Sequence, residues 1–266
     1  MSVIDDIEEA LFTQWSHVGR WPGAALHEDH GLMWFETPIT HLPYNGVIRT
    51  RIDGGVDDEP LVAAITGAFR ARDVQSFWML HPSSPAELAQ RLARHDVRPV
   101  QRMTGMSLEL RDRRRPPPSP DVEFREVVGD RDMDAYVDLT MELFGIPPDE
   151  RALVSAFHTY WGPGRIAGHR YIGWLGDAPI AKAYLSVAGP PGVASIYGMG
   201  VRPEARGRGV AAGLTAILLD RALELGMNRA VLHATDMARS VYRRVGFVEQ
   251  CELQVCATGA LYPDGH

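Results

Sequence analysis

Cysteine is nearly absent: the 266-residue chain has two, Cys251 and Cys256. They share one late extended segment at an odd separation, which places them on opposite faces of a strand. That spacing argues against a disulfide or a cysteine metal site, so both are expected as reduced thiols, with no bound metal. There is also no stretch of roughly eighteen uncharged apolar residues, which argues against a membrane-spanning helix and a membrane partner. The opening Met1-Ser2-Val3-Ile4-Asp5-Asp6 is acidic where a secretory leader is basic, and a cytoplasmic protein is expected. Positive charge is in deficit as well, with a formal net charge of −7. Nonspecific nucleic-acid binding needs a cationic surface that displaces counterions, and this balance suits a small cationic ligand better.

What is present is an ordinary globular composition, 45% hydrophobic and 23% charged, in a chain long enough for two cores. The clearest break is Arg111-Asp112-Arg113-Arg114-Arg115-Pro116-Pro117-Pro118-Ser119-Pro120. Its prolines remove backbone donors and favour a stiff, extended connector, and its arginines read as a solvated face. The expected domains are therefore 1–112 and 121–266, joined by a linker at 113–120.

Before the linker the pattern predicts a helix (5–15), strands (31–36 and 45–52), a helix (59–72), a strand (76–80), a helix (85–95) and a strand (105–110). Ser84-Pro85-Ala86-Glu87 reads as a helix start with Ser84 as its cap. After the linker come a strand (122–127), helices (133–144 and 148–160), and a hairpin of strands (169–175 and 179–188) turning at Gly176-Asp177-Ala178. A strand (193–201), a long helix, a short strand (230–234), a short helix (237–245) and a last extended run complete the chain.

The junction of that long helix is the most informative stretch. Val210, Leu214, Ile217, Leu218, Ala222 and Leu225 recur at helical spacing, with Gly226 as a stop. The helix thus begins within Arg206-Gly207-Arg208-Gly209-Val210-Ala211. Its first turn carries unpaired N–H donors and the positive end of the macrodipole, a site for a pyrophosphate to which Arg206 and Arg208 add charge.

Here the chain resembles the GNAT superfamily of acyl-CoA-dependent N-acyltransferases. The family's phosphate pattern falls on Arg206, Gly209 and Ala211, and its Tyr four residues before Gly-Phe falls on Tyr242 and Gly246-Phe247. The Asn that often stands seven residues before that Tyr is Thr235 here. The resemblance covers roughly 121–255. It implies an α/β GNAT fold with a mixed sheet, acetyl-CoA as co-substrate, and direct attack of an amine on the thioester within a ternary complex. It also implies a set of site residues. Met199, Gly200, Val201, Arg206, Gly207, Arg208, Gly209, Val210, Ala211, Ala212 and Thr235 would contact the cofactor, with an oxyanion donor among the main-chain amides near Met199–Val201, where Gly198 and Gly200 suit a bulge. Tyr242 would donate a proton to the leaving thiolate. The strand before the loop offers no carboxylate base, which leaves Tyr197 and His233 as candidates.

The alternation of elements in the first half is compatible with a shortened, degenerate GNAT-like domain that binds no CoA of its own and shapes the acceptor pocket. Trp34, Phe35, Glu36, Tyr44 and Asn45, followed by Asp53, Asp57, Asp58 and Glu59, read either as an acidic, aromatic-lined mouth or as a strand pair with a solvated acidic hairpin. His158, Tyr160 and Trp161 end a helix that in this family commonly walls the acceptor site. The expected acceptor is the primary amine of a small cationic molecule, such as an amino-sugar antibiotic, which would make the protein a resistance enzyme. A protein Lys or N-terminal amine, or a catalytically idle acyl-CoA sensor, are the alternatives. A monomer or homodimer is compatible with the sequence.

Overall fold

The computed structural model describes residues 2–52, 59–117, 119, 121–162, 165 and 168–259. Its contacts divide the chain into two compact units. The larger comprises Met1–Leu11 with Thr104–Gln250, and the smaller Phe12–Met103 with Cys251–His266.

The expected connector is not a boundary. Arg113 and Arg115 both bind Asp220, at 3.0 and 3.1 Å, and the Arg114 N–H donates to the Val245 carbonyl. Charge pairing and a backbone hydrogen bond hold this run against the larger unit, and the division falls inside a strand instead. Three elements begin in one unit and end in the other: α1 (Val3–Val18), β5 (Arg98–Glu109) and β11 (Val248–Ala257).

The larger unit also contains β6 (Val122–Glu126), α4 (Asp130–Phe144), α5 (Arg151–Tyr160), β7 (Gly168–Leu175), β8 (Ala178–Ser186), β9 (Val193–Val201), α6 (Val210–Glu224), β10 (Arg229–Ala234) and α7 (Asp236–Val245). Its strands lie in the order β5-β10-β9-β8-β7-β6. Only β9 and β10 are parallel, with α6 as their crossover. β8 is covered on both faces. Ala181, Ala183 and Leu185 join Leu214, Leu218 and Tyr242 in one core, and the intervening residues face the other way. On that opposite side α4 brings Met133, Tyr136 and Leu139 onto Ile172 and Trp174.

Helix ends follow their sequence signals. Gly145 closes α4 at φ 63°, in the left-handed region open to glycine, and Ile146 N–H returns to the Met141 carbonyl. Leu214 and Leu218 are fully buried, so truncating either to Ala costs about 2–5 kcal/mol.

The smaller unit contains β1 (Ala25–Asp29), β2 (Leu32–Glu36), β3 (Gly46–Thr50), α2 (Glu59–Ala71), β4 (Phe77–Leu80) and α3 (Leu88–Ala93). Its strand order is β1-β2-β3-β4-β11, with β3 and β4 parallel across α2. A core of Leu32, Val47, Val62, Ile65, Phe69, Trp78 and Leu92 lies within it. Ser84 is not a helix cap. Its Oγ accepts the His81 N–H at 2.7 Å, closing a turn, and α3 begins only at Leu88. Neither cysteine is in a disulfide, and burial raises the Cys256 thiol to about 11.

Among the described residues no helix is long and apolar enough to cross a membrane.

Candidate active site

The predicted phosphate loop is built as a helix start. Gly207 and Gly209 hold φ of 75° and 79°, values that side chains other than glycine rarely adopt. The first i→i−4 bond of α6 runs from Gly213 N–H to the Gly209 carbonyl at 2.9 Å. The amides of Val210, Ala211 and Ala212 therefore lie before it and point out of the helix start. No acidic residue stands in this first turn. Among the described residues no carboxylate pairs with Arg206 or Arg208, which are exposed. Arg206 Nε donates to the Val201 carbonyl, and Ser119 Oγ to the Arg208 carbonyl, bracing the loop.

The loop follows a strand that outruns its partner. β9 pairs with β10 only from Val193 to Ile196, opposite Arg229 to Leu232. Beyond that point β10 continues on β5 to Ala234, and β9 continues to Val201 on β8 alone. The sheet is thus open between β9 and β10, leaving β10-facing amides of residues 197–201 without a strand partner among the described residues. The expected bulge is present: Tyr197 to Gly200 on β9 spans three steps against two from Lys182 to Tyr184 on β8, with Gly198 at φ 57°.

Tyr242 lies on α7, 5% exposed, its ring edge-on to Phe247 at 5.8 Å. Burial raises its phenol, which stays protonated and able to donate at neutral pH. Among the described residues no hydrogen-bond partner takes its hydroxyl. Thr235 caps α7 through its carbonyl, which accepts from the Ala238 and Arg239 amides.

On the α4 side, register places Arg170, Tyr184 and Tyr197 side by side on β7, β8 and β9, with His233 next in the row on β10. The Tyr197 and His233 rings are 6.3 Å apart. Burial pushes the Tyr197 phenol above its usual value, so a phenolate base is unavailable near neutrality. His158 from α5 packs edge-on to Tyr136 at 5.4 Å, and Arg170 Nη1 donates to the Trp161 carbonyl at 2.8 Å. Burial, then the charges of Arg170 and Lys182, hold His158 well below its ordinary value, and it is neutral. The acceptor-wall candidates His158 and Trp161 are thus brought to this face.

The sequence pattern missed the residue at its centre. Lys182 is the only lysine in the chain, every other basic residue being arginine. It is 2% exposed, with Nζ over the rings of Tyr136 at 4.6 Å and Phe144 at 4.7 Å. Desolvation, then the nearby Arg170 charge, lower its pKa to about 7. The single-lysine count was available in the sequence. It is a signal because arginine cannot release its proton at accessible pH, whereas a buried lysine can.

The first-half candidates have internal partners. Glu36 pairs with Arg72 at 3.0 Å and with His27 at 3.5 Å, and Trp34 stacks on His27 at 4.9 Å. Asn45 is fully buried, accepting from Thr37 N–H and donating to the Ile39 carbonyl. Tyr44 is buried. Glu59 binds Arg94 and His95. Asp53, Asp57 and Asp58 lie outside the described residues. Packing and ion pairing within the smaller unit engage the described members of this cluster, in keeping with the strand-pair reading of these residues.

Crossover helix, splayed strand and glycine-rich helix start together make a site at the start of α6 that can receive an anion. Residues 129–247 match the Acetyltransferase (GNAT) family model. The structure is similar to a GCN5-related N-acetyltransferase from Kribbella flavida (TM-score 0.72, 19% identity, 98% of this chain and 96% of that one). It is similar also to a GCN5-related N-acetyltransferase from Sphaerobacter thermophilus (TM-score 0.60, 19% identity, 90% and 76%). A tandem GNAT protein from the clavulanic acid biosynthesis pathway matches at TM-score 0.62 and 14% identity, over 96% and 93% of the two chains. At these identities the likeness is one of fold. No curated protein matches the sequence.

Proposed function

We propose that the protein transfers acetyl from acetyl-CoA to the primary amine of a small molecule by direct attack within a ternary complex. The observation that carries this reading is the opening between β9 and β10, flanked by the α6 start on one side and by the sole, buried lysine on the other.

In this reading the amides of Val210, Ala211 and Ala212, with Arg206 and Arg208, hold the pyrophosphate. Unpaired amides of Met199 to Val201 face the thioester carbonyl and stabilise the oxyanion. Lys182, whose pKa burial lowers to about 7, takes the proton of the attacking ammonium. Tyr242 donates to the departing sulfur. The smaller unit, in this reading a degenerate GNAT half, binds no second CoA.

We do not extend the proposal to amino-sugar antibiotics. Polar side chains expected to seat such a polycation have internal partners, and two buried cations stand where it would dock. A thiol-release screen of amines with acetyl-CoA tests the proposal. Turnover with at least one amine is expected, falling roughly 10- to 100-fold in Tyr242→Phe while CoA binding persists. CoA binding without turnover across the panel would instead make the protein an acyl-CoA sensor.

A further inference from the structure

We propose that Arg170 binds a carboxylate on the acceptor, which is therefore an amine bearing its own acid group, of the α-amino-acid kind, with its nitrogen directed to Lys182. The inference rests on the acetyl-transfer reading and names its substrate class.

Arg170 is 7% exposed and cannot shed its charge. Its Cζ lies over the rings of Tyr136 at 5.7 Å and Tyr184 at 5.5 Å, and Nη1 donates to the Trp161 carbonyl. Among the described residues no carboxylate pairs with it, and most of its five N–H donors have no acceptor. A buried cation in that state is costly unless a ligand completes it. Lys182 is a second cation on the same Tyr136 ring, again with no carboxylate partner among the described residues.

The surrounding acids are committed elsewhere. On α4, Asp134 and Asp138 bind Arg151, and Glu142 binds Arg202. On β6, Glu126 binds His169 and accepts from Tyr171. This face of the sheet therefore carries two buried cations with no carboxylate paired to either among the described residues, in a chain that is acidic as a whole.

There is also a way in. Gly198 is exposed, and a Cβ there would stand 3.5 Å from Lys182 Nζ and 4.0 Å from Tyr136 Oη. With no side chain at 198, only the exposed glycine backbone stands between these two buried groups and the face that the splayed strand presents. Both cations touch one aromatic ring, so a short zwitterion can span them: its carboxylate takes the guanidinium fork and its nitrogen faces the lysine. A polyamine finds only like charge here.

The test compares acceptors in pairs, an α-amino acid against its decarboxylated amine, by kcat/KM with acetyl-CoA. Wild-type protein is expected to favour the acid roughly 10- to 100-fold, mainly through KM. Arg170→Gln should bring the pair within about 3-fold of each other at little cost in kcat, and Arg170→Lys should restore part of the preference. Preference for the decarboxylated amine, or an equal loss on both acceptors in Arg170→Gln, would overturn the inference.

If no amine turns over, the acetyl-transfer reading fails and the carboxylate site is read by titrating N-acetylglycine into the chain. Binding that is lost in Arg170→Gln, with the thermal midpoint no lower than that of the wild-type protein, supports the site. Equal binding to both proteins, or none to either, overturns it.

Discussion

Each unit contains one parallel strand pair bridged by a helix, β9-α6-β10 in the larger and β3-α2-β4 in the smaller. The approaches to the two helices are alike in length: 202–209 stand between β9 and α6, and 51–58 between β3 and α2. Aligned on the helix starts, Arg206-Gly207-Arg208-Gly209-Val210-Ala211 falls on Gly55-Val56-Asp57-Asp58-Glu59-Pro60, whose first four residues lie outside the described ones. They differ in charge. Asp57 falls where Arg208 does and Asp58 where Gly209 does, with Glu59 in the first turn of α2. Carboxylates at a helix start stabilise the helix and repel a phosphate. The same strand–helix–strand unit thus occurs in both units, with arginines before the helix in one and acidic residues before it in the other.

The sharpest way to break this contrast is to remove chemistry from the larger unit alone. Lys182→Gln and Lys182→Arg are both expected to lower kcat roughly 100- to 1000-fold with CoA affinity unchanged, because neither residue can accept the proton. In wild-type protein kcat/KM should rise with pH and level off above about 7, as the lysine loses its proton, and this limb should vanish in both variants. A variant that keeps the limb would move the base elsewhere, to His233 first. The titratable and charged groups against Lys182 are Tyr136, His158 and Arg170; of these His158 stays neutral and Tyr136 protonated through that range.

Stability should move the other way. The Lys182 pKa is depressed below its unfolded value, so below about pH 7 the fold carries the full penalty of a buried charge. That penalty fades as pH rises toward the unfolded lysine value of about 10.4. Lys182→Met is therefore expected to raise the thermal midpoint by a few degrees at pH 6, with a smaller gain at pH 9. A lower midpoint at both values would make the lysine a structural residue. The smallest effect belongs to the smaller unit. Glu36→Ala loses partly exposed ion pairs to Arg72 and His27, and should cost under about 1 kcal/mol with kinetic constants intact. A raised acceptor KM there would return an acceptor role to the first half.

Much of the fold is legible in the sequence where one rule acts locally. The spacing of Val210, Leu214 and Leu218 and the glycines around them define α6 and its ends, and the predicted 193–201 strand is β9 as observed. β1 is missed because Ala-Leu-His-Glu-Asp has no alternating apolar face; its pairing with β2 makes it a strand. The linker is misjudged because its fate depends on Asp220, a hundred residues away in sequence. The site divides in the same way. Tyr242 and the phosphate loop follow from motif spacing. Arg170 and Lys182 do not, because their meaning comes from burial and from missing partners, which only the packing of α4 and α5 on β7 and β8 supplies.

The central claim is that one unit receives the acyl donor and the other only resembles it. The most direct measurement is CoA binding by calorimetry to wild-type, Ala211→Asp and Asp57→Ala proteins. Ala211→Asp places a carboxylate that favours the helix start while repelling a pyrophosphate, so folding should survive. One CoA per chain is expected in wild-type and Asp57→Ala, with binding at least 10-fold weaker in Ala211→Asp. Two CoA per chain, or full affinity in Ala211→Asp, would contradict it.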